Sequence, residues 1–274
     1  MFYPAMQIAG NIFLKKALYR EVSVFFIVSI FCPFLFATEC SLQGNAEKVE
    51  WDYVADGDTV WLKDGRKVRF AGINTPEIAH KDRAAEPRGD QAHSTLKKLL
   101  SPSPYLLLEI AERPYDHYGR LLASPFLPDG TSINSLLLEQ GLAFQVFSEN
   151  RNPYQFCWSE LEKKAREKGL GVWKKWQLLD VRADRLKSGF QVVRGYISNI
   201  YRPKSGQSIW LEFDGPLVIR LDKERVSKAW LKSLKGQKVE VRGWLVDRRK
   251  KTTLKTHQKP WVVNVYSIDA IKRL

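Results

Sequence analysis

Residues 49–77 read VEWDYVADGDTVWLKDGRKVRFAGINTPE. Residues 49–55 alternate apolar and polar, the period of a half-buried strand, and Asp56-Gly57-Asp58 interrupts the run as a turn does. Residues 59–63 and 66–73 are further strand-like runs on either side of Asp64-Gly65, a strong hairpin signal. Pro76 stops the third strand, because proline has no amide hydrogen for a ladder.

Outward from that stretch the pattern changes from strands to helices. Residues 92–100 have helical spacing, 105–111 return to a strand, and 134–140 form a helix closed by Gly141. A Glu- and Lys-rich helix over 159–168 is ended by Gly169. Charge rises and periodicity fades over 174–187, which reads as a linker. Strands over 190–201, 208–213 and 217–221, a helix over 223–234, and strands over 238–246 and 261–268 follow. Three strands, a helix and two strands is the order of an OB-fold. No internal repeat or low-complexity tract stands out.

The formal net charge of +14 points to a polyanionic partner, either nucleic acid or an anionic membrane surface. From Asp180 onward there are 22 Lys and Arg against 9 Asp and Glu; before it the balance is 22 against 21. A nearly neutral front is therefore joined to a basic back, the plainer alternative being a solvated lysine-rich surface. At the amino terminus Lys15, Lys16 and Arg20 precede an apolar run over 22–37 that ends in Leu35-Phe36-Ala37. This reads as an export signal over 1–37, with an uncleaved anchor or a buried core helix as alternatives. The expected location is secreted or periplasmic, or membrane-anchored facing outside the cytoplasm. Cleavage would remove Cys32 and leave Cys40 and Cys157, a candidate disulfide in an oxidising compartment; two free buried thiols are the alternative. The chain then divides into 1–37, a front domain over 46–176 and a basic domain over 188–274, and is expected to be a monomer without a stable membrane span once cleaved.

The chemistry-bearing residues lie in three segments: Asp56-Gly57-Asp58-Thr59-Val60, Arg69 to Glu77, and Asp116-His117-Tyr118-Gly119-Arg120. Asp58 and Asn74-Thr75 sit at two strand ends, where a carboxylate, an amide oxygen and a backbone carbonyl can share one side of a barrel. Such hard oxygens suit calcium or magnesium. His80, His93, His117 and His257 are scattered, which argues against zinc. Glu77 is close enough to hold or deprotonate a water, and Arg69 and Arg120 carry planar forks that match phosphate oxygens. Each segment also has an ordinary reading: Asp-Gly-Asp as a turn, Thr75-Pro76 as a helix start, Tyr118-Gly119-Arg120 as a surface turn.

Taken in order, the three segments resemble those of the staphylococcal nuclease (thermonuclease) family. The likeness runs over 49–173 and includes Gln140-Gly141-Leu142-Ala143 and the closing helix before Trp173. The resemblance implies a mainly β fold with helices (α+β), a staphylococcal-nuclease-type OB barrel, here followed by a second, smaller OB-fold-like barrel. It also implies calcium-dependent hydrolysis of DNA and/or RNA. By matching position, Asp58 and the Thr75 carbonyl would ligate the metal and Asp56 would stand at its edge. Glu77 would be the general base or water-orienting group. Arg69 and Arg120 would hold the scissile phosphate, with Arg120 toward the leaving oxygen. The family's reference enzyme has an aspartate where this chain has Asn74. The amide keeps an oxygen but loses a full charge, so weaker calcium binding with activity retained is expected.

In the basic domain the alternation turns Trp210, Arg242 and Trp244 outward, and Arg248-Arg249-Lys250-Lys251 forms a charged loop. Trp210, Arg242, Trp244, Arg248 and Arg249 are therefore candidate nucleic-acid contacts by stacking and backbone attraction. Tryptophans covering an interdomain contact and a solubilising hairpin tip are the alternatives. Two rival functions remain at this stage. One is a nuclease-derived module that grips nucleic acid without cutting; the other is a nuclease anchored by its tail to an anionic envelope.

Overall fold

The computed structural model describes residues 40–79, 84–148, 152–174, 178–183, 185–250, 253–256 and 258–274. The segment read as an export signal lies outside them, as do His80, Lys251 and His257. Strands β1 (Glu47–Asp56), β2 (Thr59–Leu62) and β3 (Lys67–Phe70) form an antiparallel meander. Val49 and Val54 both point into the core although strict alternation would place them on opposite faces. A bulge between Trp51 and Tyr53 supplies the extra residue that restores the inward phase. At the β2–β3 turn Gly65 adopts φ 88°, and its N–H donates to the Leu62 carbonyl at 3.0 Å.

The sequence predicts one strand over 66–73, but the chain leaves the barrel after Phe70. Gly72 has φ 79°, and a Cβ there would overlap the Trp158 ring, so glycine is required for both reasons. The chain then enters β4 (Ile73–Asn74). Helix α1 (Gly89–Leu100) buries Gly89, Ala92, Leu96 and Leu100 along one stripe. β5 (Tyr105–Tyr115) and β6 (Leu121–Phe126) close the barrel in the order β1-β2-β3-β6-β5, with β3 and β6 parallel. Helix α2 (Ile133–Glu139) starts at Ser132, whose hydroxyl accepts from the Ser135 N–H at 3.2 Å. β7 (Phe144–Gln145) pairs with β4 as a separate ribbon. Helix α3 (Gln155–Glu167) follows, and Cys157 within it is disulfide-bonded to Cys40, with Cα atoms 5.9 Å apart.

β8 (Leu179–Asp180) runs parallel to β9 (Gly189–Tyr201), and Val181 and Leu186 are buried in the second core. Part of the stretch read as a linker is thus built into the fold. β10 (Ser208–Phe213), β11 (Leu217–Asp222), α4 (Lys228–Leu234), β12 (Lys238–Asp247), β13 (Trp261–Val265) and β14 (Ile271–Arg273) complete it. Strands β9, β10, β11, β13 and β12 close into a ring, with β11 and β13 parallel and β14 appended to β12. Numbered within each barrel, both rings read 1-2-3-5-4, with strands three and five parallel and a helix between three and four. This is OB topology twice over. Ile209, Leu211, Phe213, Val239, Val241 and Leu245 fill the second core, as their alternation requires.

Thr38–Leu274 forms one unit, and the two barrels meet along α3. Phe144, Ala165, Val172 and Trp173 pack with Val192 and Phe190 of β9. Beside this apolar patch Arg166 donates to both Glu240 oxygens at 2.8 and 3.1 Å. Arg242 donates to both Glu162 oxygens at 2.7 and 2.8 Å and to Glu240 at 3.2 Å.

Candidate functional site

Asp58 immediately precedes β2 and is buried. Its Oδ2 accepts from the Thr75 N–H at 2.7 Å, across 17 positions of sequence, and its Oδ1 accepts from the Thr59 hydroxyl at 3.1 Å. Gly57 makes this approach possible: a Cβ there would stand 2.7 Å from both Thr75 Oγ1 and the Ala92 methyl. The tight Asp-Gly-Asp turn is thereby pressed against the Asn74-Thr75 strand end and α1.

Arg69, on β3 opposite Thr59, lies inside the site. Its Nη1 donates to the carbonyls of Phe70 and Ile73 at 2.6 and 2.9 Å, and its Nη2 donates to Asn74 Oδ1 at 3.0 Å. The same Nη2 is 3.0 Å from Asp58 Oδ2. The Asp58 carboxylate and the Asn74 amide oxygen therefore converge on one point, which the guanidinium fills. Asn74 Nδ2 donates to the Thr75 carbonyl at 3.1 Å, a bond no aspartate could make. Asp56 accepts from the Gly57 N–H at 2.7 Å. Burial, then the charge of Asp58, push the Asp56 carboxyl up to about 7, and Glu77 adds to the rise from hydrogen-bonding distance.

Arg120 stands at the start of β6, one residue before Leu121, which pairs with Val68 of β3, and its contacts are with its own turn rather than with Asp58, Arg69 or Asn74. Its Nε donates to Asp116 Oδ2 at 2.8 Å, and its guanidinium lies 5.5 Å from the Tyr118 ring centre. Asp116 also accepts the N–H groups of Tyr118 and Arg120 at 2.9 and 3.0 Å. Burial would raise this carboxyl, but the Arg120 and Tyr118 donors override it and hold it below its ordinary 3.8. Sequence reasoning assigns Asp116 no role; an Asp opening a turn four residues before an arginine is the available signal.

Asp58, the Asn74 amide and the Thr75 carbonyl are hard oxygens in one buried corner, with half-buried Asp56 two residues from Asp58. Thr75 Oγ1 is buried there without a hydrogen-bond partner. Among the described residues no three His, Cys, Asp or Glu side chains form a ready cage, because two of these oxygens come from an amide and the backbone. The residues fit a calcium-type ion.

In the second barrel the outward candidates separate. Arg242 does face out of its barrel, but α3 covers it: the side chain is 9% exposed and its donors go to Glu162, Glu240 and the Gln145 carbonyl. That burial corrects the expectation of a nucleic-acid contact there. Trp244 is exposed and meets Phe190 edge-on at 5.2 Å. Trp210 is half-buried. Arg248 donates to the Lys259 carbonyl at 3.3 Å, and Arg249 is paired with Asp247 at 2.8 Å above the Trp261 ring.

An OB barrel with oxygen donors and guanidinium groups near the ends of its second, third and fifth strands defines a class of barrel suited to phosphate esters. Residues 67–175 match the family described as staphylococcal nuclease homologue. The thermonuclease of Staphylococcus intermedius is 34% identical over 125 residues, spanning 44% of this chain and 73% of that protein. Endonuclease YncB of Bacillus subtilis (strain 168) is 33% identical over 138 residues, 48% of this chain and 64% of the relative. The succinoglycan biosynthesis protein ExoI of Rhizobium meliloti (strain 1021) is 31% identical over 125 residues, 44% and 62%. The chain belongs to the staphylococcal nuclease family.

Proposed function

We propose that this chain is a calcium-dependent nuclease that hydrolyses phosphodiester bonds of DNA and/or RNA outside the cytoplasm, its basic second barrel holding the substrate. The observation that carries the reading is the convergence of Asp58 Oδ2 and Asn74 Oδ1 on one nitrogen of Arg69, beside Asp56 and Glu77. Asp58, Asn74 and the Thr75 carbonyl would hold the ion, with Asp56 at its edge. A bound calcium would offset the charge on the non-bridging phosphate oxygens. Glu77 accepts a proton from the attacking water. Arg69 Nη2 is bonded here to the two ligating oxygens, and it is the donor that metal loading would release to a phosphate oxygen. Arg120, aimed by Asp116, stabilises the leaving oxygen.

Location outside the cytoplasm is supported by the Cys40–Cys157 disulfide. Among the described residues no helix is long and apolar enough to cross a membrane. The test is cleavage of DNA and RNA with calcium, magnesium or chelator, in the wild type, Glu77→Ala and Arg120→Ala. Each substitution is expected to lower kcat by about 100-fold or more. Cleavage indifferent to chelator and to Glu77→Ala would overturn the proposal.

A further inference from the structure

On the outer face of the second barrel, Trp210 of β10 pairs directly with Tyr201 of β9 on one side and with Arg220 of β11 on the other. Directly paired residues share a face, so the three side chains form one row across three adjacent strands, neighbours about 4.8 Å apart. Tyr201 is 56% exposed, Arg220 is exposed, and Ser208 holds the Arg220 guanidinium through its Nε at 2.9 Å. The Trp210 ring has Arg220 at 5.8 Å and Arg248 at 5.7 Å from its centre. A groove runs over Tyr201 and Trp210, lined also by Glu212, Val218, Arg248 and Lys259, with Arg220 flanking Trp210 at its edge. The loop after β12 brings Arg248 and Lys259 to one wall, and the β9–β10 loop carries exposed Arg202 and Lys204.

We propose that this groove is a binding site for unpaired, single-stranded nucleic acid, which bases enter by stacking on Tyr201 and Trp210 while the five cations follow the backbone. The inference rests on the nuclease reading for its biological sense but not for its geometry. An aromatic pair on a flat sheet face, rimmed with guanidinium and ammonium groups, matches bases and phosphates at once. A duplex keeps its bases stacked on one another and offers the row only phosphates. Glu212, the one carboxylate lining the groove among the described residues, supplies an acceptor for base amino groups. Arg242 and Trp244 lie on β12, off this row, and take no part.

The test is fluorescence anisotropy of the full chain in chelator with labelled oligothymidylate and, separately, a blunt duplex of equal length. Trp210→Ala is expected to weaken oligothymidylate binding about 5- to 150-fold, the range for a lost stacking contact, and duplex binding by less than about threefold. Trp210→Phe keeps a stacking face and should stay within a few-fold of wild type, which separates stacking from misfolding. Tyr196→Ala, an exposed aromatic midway along β9 and outside the groove, should change nothing. Equal loss on both substrates, no loss, or loss in Trp210→Phe matching that in Trp210→Ala would overturn the proposal. So would displacement by heparin with the same dependence on Trp210, since heparin has no bases. Failure of Glu77→Ala to alter cleavage would sink the nuclease reading and leave these binding results standing.

Discussion

Replacing Arg242 by methionine probes the joint between the barrels. Its guanidinium is held by Glu162 at 2.7 Å and Glu240 at 3.2 Å, and the side chains of these three are 9%, 8% and 2% exposed. Removing one partner of a buried pair costs about 3–5 kcal/mol, because the other charge is left without compensation. Arg166 still pairs with Glu240, so Glu162 is the stranded charge and the lower end, about 3 kcal/mol, applies. At roughly 2–4 °C per kcal/mol for a chain of this size, the thermal midpoint should fall by about 6–12 °C. Adding Glu162→Met removes the stranded charge and should restore at least half of that loss, leaving the Gln145 N–H as the residual cost. A fall below about 2 °C, or a double variant no better than the single one, would refute the reasoning. The network also has a pH signature. Burial alone would raise the Glu240 carboxyl, but the Arg166 hydrogen bond and the Arg242 charge override it and hold it below 4.5. A depressed carboxyl contributes stability that is complete above its unfolded value near 4.5 and is lost as pH falls through the folded value. Arg242→Met should therefore flatten the acid limb of a stability–pH curve.

Three other perturbations have defined outcomes. Asn74→Asp restores a charge but breaks the amide bond to the Thr75 carbonyl; calorimetry should show tighter calcium binding, and unchanged affinity would remove Asn74 from the ligand set. Gly57→Ala puts a methyl 2.7 Å from Thr75 Oγ1 and Ala92, so denaturant melts should lose about 1–3 kcal/mol, and a neutral result would mean that the turn is looser than described. Cys157→Ser opens a bridge across 117 positions and should lower unfolding free energy by up to about 5 kcal/mol, with reductant reproducing the loss in wild type only.

Sequence periodicity carried the inward sets of β10 and β12, the Asp64-Gly65 turn and both glycine stops, because those signals are local. The break after Phe70 was not legible, since it depends on Trp158, 86 positions downstream and packed on Gly72. Nor was the burial of Arg242: alternation places it outward, and only the docking of α3 turns that outer face into an interior. The residues of the proposed metal site are readable as a motif, but the position of Arg69 between Asp58 and Asn74 is not.

The docked α3 has a practical consequence for anyone wishing to work with the front barrel by itself. Truncation after residue 187 would bare Phe144, Val172 and Trp173 together, and would leave Glu162 facing water that its packed surroundings admit poorly. The excised piece should clump rather than behave as a small independent enzyme. Substituting polar residues for Phe144 and Val172 would be the first remedy to try.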